Sequence, residues 1–146
     1  MPPPVVALLF ALAMWAISRG PLQLELAHAL RVALASALAL CGVAIDIAAL
    51  VSFRKAQTTV NPMKPNAASS LVRGGIYRFT RNPMYLGLLS LLAAWAVYLA
   101  SVLAAACLPA FVAYITRFQI KPEERVLASL FGPEYASYAA RVRRWL

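Results

Sequence analysis

Apolar residues along this chain come in long unbroken runs, with the polar residues gathered between them. The first run covers residues 4–18, beginning Val5-Val6-Ala7-Leu8-Leu9-Phe10. As a helix it reaches about 22 Å, short for a hydrocarbon core of about 30 Å. Gly20-Pro21 ends it, and residues 22–29 form a polar link in which His28 is expected as a solvated loop residue. Residues 30–53 make a full span of about 36 Å. Arg31 stands at its outer end, where a long cationic side chain snorkels to the interface. Asp46 lies inside this span, roughly two turns from Arg54-Lys55. An acid at that depth is costly, and is either functional or paired with a loop arginine. From Met84 to Phe118 there is no charge before Arg117. One helix of that length would measure about 52 Å, so the pattern predicts two spans, 83–99 and 101–118, joined near Tyr98-Leu99-Ala100-Ser101. Pro109 is expected to kink the second.

Two polar regions remain. The central loop, 54–82, passes through Val60-Asn61-Pro62-Met63-Lys64-Pro65-Asn66, where proline and asparagine oppose regular structure. A connection of this length is usually functional. The tail, 119–146, opens with Pro122-Glu123-Glu124, acids in a first helical turn as the dipole prefers. Val126, Leu127, Leu130 and Phe131 form its apolar face, and Gly132-Pro133 stops it. A second amphipathic helix then places Tyr135, Tyr138, Ala139, Val142 and Trp145 on one side, with Arg141, Arg143 and Arg144 beside them. Such helices lie along a membrane surface and close over what the loop builds. The expected fold is all-α: a polytopic membrane helix bundle of about four transmembrane helices with C-terminal amphipathic interfacial helices, read as a single domain over residues 1–146.

Composition agrees. The chain is 62% hydrophobic, against about 45–50% for a soluble domain. Its net charge of +9 makes nucleic acid the reflex partner. The basic residues instead flank apolar runs, so the lipid bilayer is the expected partner and nucleic acid is not. Arg54, Lys55, Lys64, Arg73, Arg78 and Arg81 fall at the central loop, and Arg117, Lys121, Arg125, Arg141, Arg143 and Arg144 in or beside the tail. Arg19 and Arg31 alone lie on the other side. The positive-inside rule then puts loop, tail and both termini in the cytoplasm. Arginine-over-lysine, alanine-heavy usage points to a bacterial plasma membrane. Met1-Pro2-Pro3-Pro4 lacks the positive start of a signal peptide, so the first run is expected to be retained. Cys41 and Cys107 sit in apolar runs as buried thiols, and with His28 the single histidine no metal site can be assembled. Alanine-rich stretches (Ala33, Ala35, Ala37, Ala39; Ala104, Ala105, Ala106) permit close helix packing within or between chains, leaving oligomeric state open.

The residues richest in chemistry run from Gly74 to Tyr85. Asn82 suits a helix N-cap and Pro83 the first helical position, so unpaired N–H groups face the loop and attract carboxylate or phosphate. Glu123 and Glu124 offer an acid for an ammonium. A zwitterionic amino-acid ligand suits both, with tyrosines flanking a planar base or a cation. The bland alternative is that Arg and Tyr anchor the interface and the glutamates complement the dipole.

Leu71-Val72-Arg73-Gly74-Gly75-Ile76-Tyr77, Arg81-Asn82-Pro83-Met84-Tyr85-Leu86-Gly87, Glu123-Glu124, and Phe131-Gly132-Pro133-Glu134-Tyr135 with Tyr138 together resemble the isoprenylcysteine carboxyl methyltransferase family and the related phospholipid methyltransferases. The resemblance covers roughly residues 60–146. It implies an integral-membrane enzyme that uses S-adenosylmethionine, with S-adenosylhomocysteine as product. It places cofactor binding on Ser69, Ser70, Leu71, Val72, Tyr77, Asn82, Pro83, Met84, Tyr85, Glu123 and Glu124. The methyl acceptor, a lipophilic or small molecule bearing a carboxyl, amine or thiol, would enter from the lipid. Two positions depart from the prenylcysteine enzymes: Asn82 stands where they have histidine, and Gln119 where an arginine is thought to meet the substrate carboxylate. Arg81 is the candidate to orient the acceptor, and no catalytic base is assigned. The competing readings are an NADPH-dependent membrane reductase of the sterol-reductase type and a non-enzymatic membrane scaffold.

Overall fold

The computed structural model describes residues 1–56 and 70–146. The stretch Val60–Asn66 and the candidate Ser69 therefore lie outside the described residues. The architecture is all-α, as the apolar runs require. Helix α1 is Pro3–Ile17, α2 His28–Lys55 and α3 Pro83–Leu99. Then come a short α4, Val102–Ala105, α5, Cys107–Ile115, a π-helical turn, Thr116–Ile120, and α6, Lys121–Arg141. A 3-10 turn, Gly75–Arg78, precedes α3. Two helical lengths are apolar and long enough to cross a membrane: α2, and the rod from Val102 onward. The helices α1 and α3 are shorter apolar companions.

The apolar surface faces outward. Leu40 on α2 is 71% exposed and Ile47 58%, and Leu8, Leu9, Leu12 and Trp15 of α1 are exposed as well. No soluble bundle leaves such faces wet; lipid covers them. Cys41 also lies exposed on α2, so it is a lipid-facing thiol rather than the buried one expected. The interior core is small. Met14, Phe111, Ile115 and Ile120 have no exposed surface, and Phe10 meets Phe111 edge-on at 5.4 Å.

The helices cross where side chains are smallest. A Cβ on Gly42 of α2 would come within 2.9 Å of the Gly87 carbonyl oxygen of α3. Beside it the Ser90 hydroxyl donates to the Leu38 carbonyl oxygen at 2.8 Å. Both ends are tied. Arg31 donates from Nε to the Tyr98 carbonyl oxygen at 3.0 Å, so the snorkelling arginine fastens the start of α2 to the end of α3. The α3–α4 turn falls at Ala100-Ser101, with Ala100 in the left-handed region at φ 48°. The link after α1 holds it there: the Leu24 amide donates to the Ala100 carbonyl oxygen at 2.7 Å, and the Val102 amide to that of Leu22 at 3.2 Å. At the opposite end the Gln119 amide donates to the Met1 carbonyl oxygen at 2.8 Å, joining the N-terminus to the root of the tail.

The expected effect of Pro109 is present: the helix after Ser101 breaks at Ala106, three residues before it, since the proline ring collides with the carbonyl four residues earlier. Three local expectations are corrected. His28 begins α2 rather than sitting in a loop, because Pro21 lies too far upstream to stop the helix starting there. The helix that carries the fourth apolar run does not end at residue 118: it continues through the π turn into α6. The tail's second leg ends at Arg141, so Val142 and Trp145 lie beyond it. Gly132 does interrupt α6, at φ 46° and ψ −121°, a conformation that glycine alone adopts without strain. Gly42→Val should separate α2 from α3 and lower stability by about 1–3 kcal/mol; thermal unfolding in detergent micelles checks this.

Candidate functional site

The site lies where the 3-10 turn, the start of α3 and α6 meet. Gly75 has φ 60°, and a Cβ there would strike the Ser52 hydroxyl at 2.5 Å, so glycine lets the turn press on the end of α2. This seats Tyr77, which is buried, edge-on to Phe53 of α2 at 5.5 Å. Val72 and Ala49 are buried in the same cluster, with Met84 packed against it. The Ser70 hydroxyl donates to the Ala56 carbonyl oxygen at 2.9 Å, and Leu71 is partly buried beside it. The candidates Val72, Tyr77 and Met84 therefore pack as one wall with the end of α2, and Ser70 is tied to the same helix end through Ala56.

Helix α6 closes over that wall through a charge clamp. Arg144 grips Glu124 with two guanidinium nitrogens, at 3.0 and 2.7 Å. Arg81 meets the same carboxylate at 3.2 Å and also donates to the Tyr135 hydroxyl at 3.3 Å. The Tyr138 hydroxyl donates to the Tyr77 carbonyl oxygen at 2.8 Å, pinning α6 to the 3-10 turn. The segment after α6 folds back across the start of α3. The Arg81 amide donates to the Arg143 carbonyl oxygen at 3.0 Å, and Asn82 Nδ2 to that of Arg144 at 2.9 Å. Trp145 donates from Nε1 to the Thr116 hydroxyl at 3.1 Å, fixing this strap on the π turn.

Asn82 does occupy the N-cap position, but its side chain serves the strap and makes no cap bond. Pro83 follows at the first helical position and is fully buried. The opening turn of α3 thus lacks a side-chain cap.

The two neighbouring glutamates have different surroundings. Glu124 is neutralised by two arginines. Glu123 points the other way and accepts a 2.5 Å hydrogen bond from the Tyr85 hydroxyl, and among the described residues it has no ion-pair partner. Burial pushes its carboxyl up to about 7; the Glu124 charge adds to this and the Tyr85 bond opposes it. Burial likewise pushes the Tyr77 hydroxyl far up, with Tyr138, Glu123 and Asp46 adding in turn. Of the other sequence candidates, Arg81 is held by Glu124 and Tyr135, and Gln119 faces the N-terminus. Tyr135, Tyr138, Arg144 and Thr80 join these candidates, the Thr80 hydroxyl donating to the Arg144 carbonyl oxygen at 3.4 Å. Tyr135 and Tyr138 stood in the motifs of the resemblance and Thr80 within the Gly74–Tyr85 loop; the return of Arg144 to Glu124 carried no signal, because a strap folding back leaves no periodicity.

The fold is that of an all-α membrane protein in which the 3-10 turn, the start of α3 and α6 are joined by polar contacts at one end of the helices. The sequence profile of the phospholipid methyltransferase family matches residues 30–134, and the chain belongs to that family. It is therefore a membrane methyltransferase by family. An uncharacterized protein of Haemophilus influenzae is 48% identical over 63 residues, which make up all of that protein and 43% of this chain. No solved structure matches the chain significantly.

Two outcomes follow. Glu124→Ala leaves two guanidinium groups facing each other and should cost about 2–4 kcal/mol, read as lost protection of α6 amides in hydrogen exchange. Glu123 has the opposite sign from a stabilising carboxylate. Its folded-state value lies above the ordinary 4.5, so its contribution is full below that pH and lost as pH rises through about 7. The ligand-free protein should lose thermal stability between pH 5 and 8, and Glu123→Gln should flatten that loss.

Proposed function

We propose that this protein transfers a methyl group from S-adenosylmethionine to a lipophilic or small acceptor reaching the site from the bilayer. The observation that carries the reading is Glu123: a half-buried carboxylate with no ion-pair partner among the described residues, beside a neighbour that takes two. A ligand ammonium supplies the missing charge. The uncapped start of α3 suits the ligand carboxylate, and Tyr77, Tyr85, Val72 and Met84 offer walls for an adenosine. Members of the family typically use this cofactor, which supplies an electrophilic methyl on a sulfonium. The protein's share is to hold the donor, exclude water and align the acceptor. A phosphate-rich cofactor such as NADPH is less well served, because Glu124 already neutralises Arg81 and Arg144.

In this reading Ser69, Ser70, Leu71, Asn82 and Pro83 belong to the donor's surroundings. Glu124 and Arg81 hold α6 in place, and Arg81 acts as a positioning residue. Residues 1–146 work as one unit, with loop and tail on the cytoplasmic face of a bacterial plasma membrane, as the distribution of basic residues favours.

Calorimetric titration of the purified protein with S-adenosylhomocysteine tests the reading. Micromolar binding is expected, weakened at least tenfold in Glu123→Gln. Wild-type binding should strengthen from pH 5 to 7, because the carboxyl must ionise to meet the ammonium. Binding of NADPH in its place would favour the reductase, and binding of neither by folded protein would favour a scaffold.

A further inference from the structure

One acid remains unused. Asp46 lies within the apolar length of α2, and its Oδ1 is buried with no hydrogen-bond partner among the described residues. None of the ion pairs among those residues includes it. Its carboxyl is seated against α3 at Gly87, where an added Cβ would fall 2.1 Å from Oδ1 and 2.5 Å from the carboxyl carbon. The absent side chain of Gly87 is thus the space that the carboxyl occupies. Holding an acid at that depth costs about 2.5–3.5 kcal/mol on insertion scales, and no described partner offsets it.

The surroundings single out what would. Asp46 lies three residues before Ala49 on the same helix, one turn below the cluster in which Ala49 packs with Val72 and Tyr77. Tyr85 of α3 is bonded to Glu123. Nearby hydroxyls are already engaged: Ser52 donates to the Ala48 carbonyl oxygen and Ser90 to that of Leu38, each at 2.8 Å. On α2 itself the nearest cations are Arg54 and Lys55, about two turns away. At the site itself neither Arg81 nor Arg144 is free for an acceptor carboxylate, since both hold Glu124, and the Gln119 amide serves Met1.

We infer that Asp46 is the catalytic residue that meets the methyl acceptor, binding a protonated amine from the bilayer side and taking its proton. The assignment rests on the methyltransferase reading above. The acceptor N–H bond breaks, and its proton passes to the Asp46 carboxylate. The freed nitrogen lone pair forms the N–C bond as the methyl–sulfur bond breaks, its electron pair staying on sulfur. The methylated product leaves as an ammonium, and protonated Asp46 returns its proton to water. Glu123 and Asp46 then divide two ammonium groups, the donor's and the acceptor's.

The test uses the full chain in phosphatidylcholine nanodiscs, whose quaternary headgroup accepts no methyl, saturated with S-adenosylhomocysteine. Dodecylamine and dodecanoate are the probes. At pH 7 calorimetry should show one amine site per chain in the wild type, absent in Asp46→Asn, with dodecanoate binding to neither. Gly87→Ala, which displaces the carboxyl but keeps it, should weaken the amine about tenfold, as for a loss of about 1.4 kcal/mol. With S-adenosylmethionine, methylation of dodecylamine should slow about 10²–10⁴-fold in Asp46→Asn. That deficit should shrink about tenfold per pH unit toward the amine's own pKa of about 10, while Glu123 titrates alike in both proteins. Failure of the wild type to bind dodecylamine, or equal binding and turnover by Asp46→Asn, overturns the inference alone. So does loss of S-adenosylhomocysteine binding in that variant, which would place Asp46 in the donor site or the fold. Failure of the wild type to bind S-adenosylhomocysteine overturns the methyltransferase reading itself.

Discussion

Glu124, gripped by Arg144 and Arg81, is the contact on which the site depends. Successive residues of a helix point about 100° apart. Fixing Glu124 against two arginines therefore fixes the direction of Glu123, which turns to the Tyr85 hydroxyl. A loose tail would let both glutamates face water as ordinary first-turn acids. With the clamp closed, one acid is neutralised and its neighbour is half-buried, with no ion-pair partner among the described residues.

The same clamp needs the helix beneath it to arrive in the right phase. The π turn at Thr116–Ile120 makes the rod continuous from the apolar stretch into α6. A π turn inserts one residue, rotating everything after it by about 100°. The strap then returns over α3, pinned at the π turn by Trp145 and on the opening of α3 through Asn82. Family membership makes the chain a membrane methyltransferase, and these contacts hold the tail against the start of α3.

A second constraint comes from close packing of α2 on α3. Gly42 and Gly87 remove the side chains at the crossing, which brings the helices into backbone contact and leaves room for one carboxyl. Lipid gives little drive for helices to associate, so small residues and interhelical hydrogen bonds carry that contact. Ser90 and Arg31 supply such bonds near its middle and its end.

The helical class, the apolar runs, the turn at Ala100-Ser101 and the break at Gly132 were legible in the sequence, because hydropathy and backbone-shaping residues act locally. The loop from Gly74 to Tyr85 and the glutamate pair were visible as residue chemistry, and the structure brings them together through Tyr85 with Glu123 and Arg81 with Glu124. Pairing was not legible. Nothing in the spacing showed that Arg144 would return to Glu124 or that Asn82 would serve the strap instead of capping α3. Nor did it show that Gln119 would face Met1, or that Gly87 would make room for Asp46. Those outcomes join residues far apart in the chain, and only packing sets which charges meet. The sequence by itself determined that a helical membrane protein carries acids and arginines at one end. The tertiary structure alone decided which acid is neutralised and which is left without a described partner, because burial and pairing, not identity, set the state of a carboxylate.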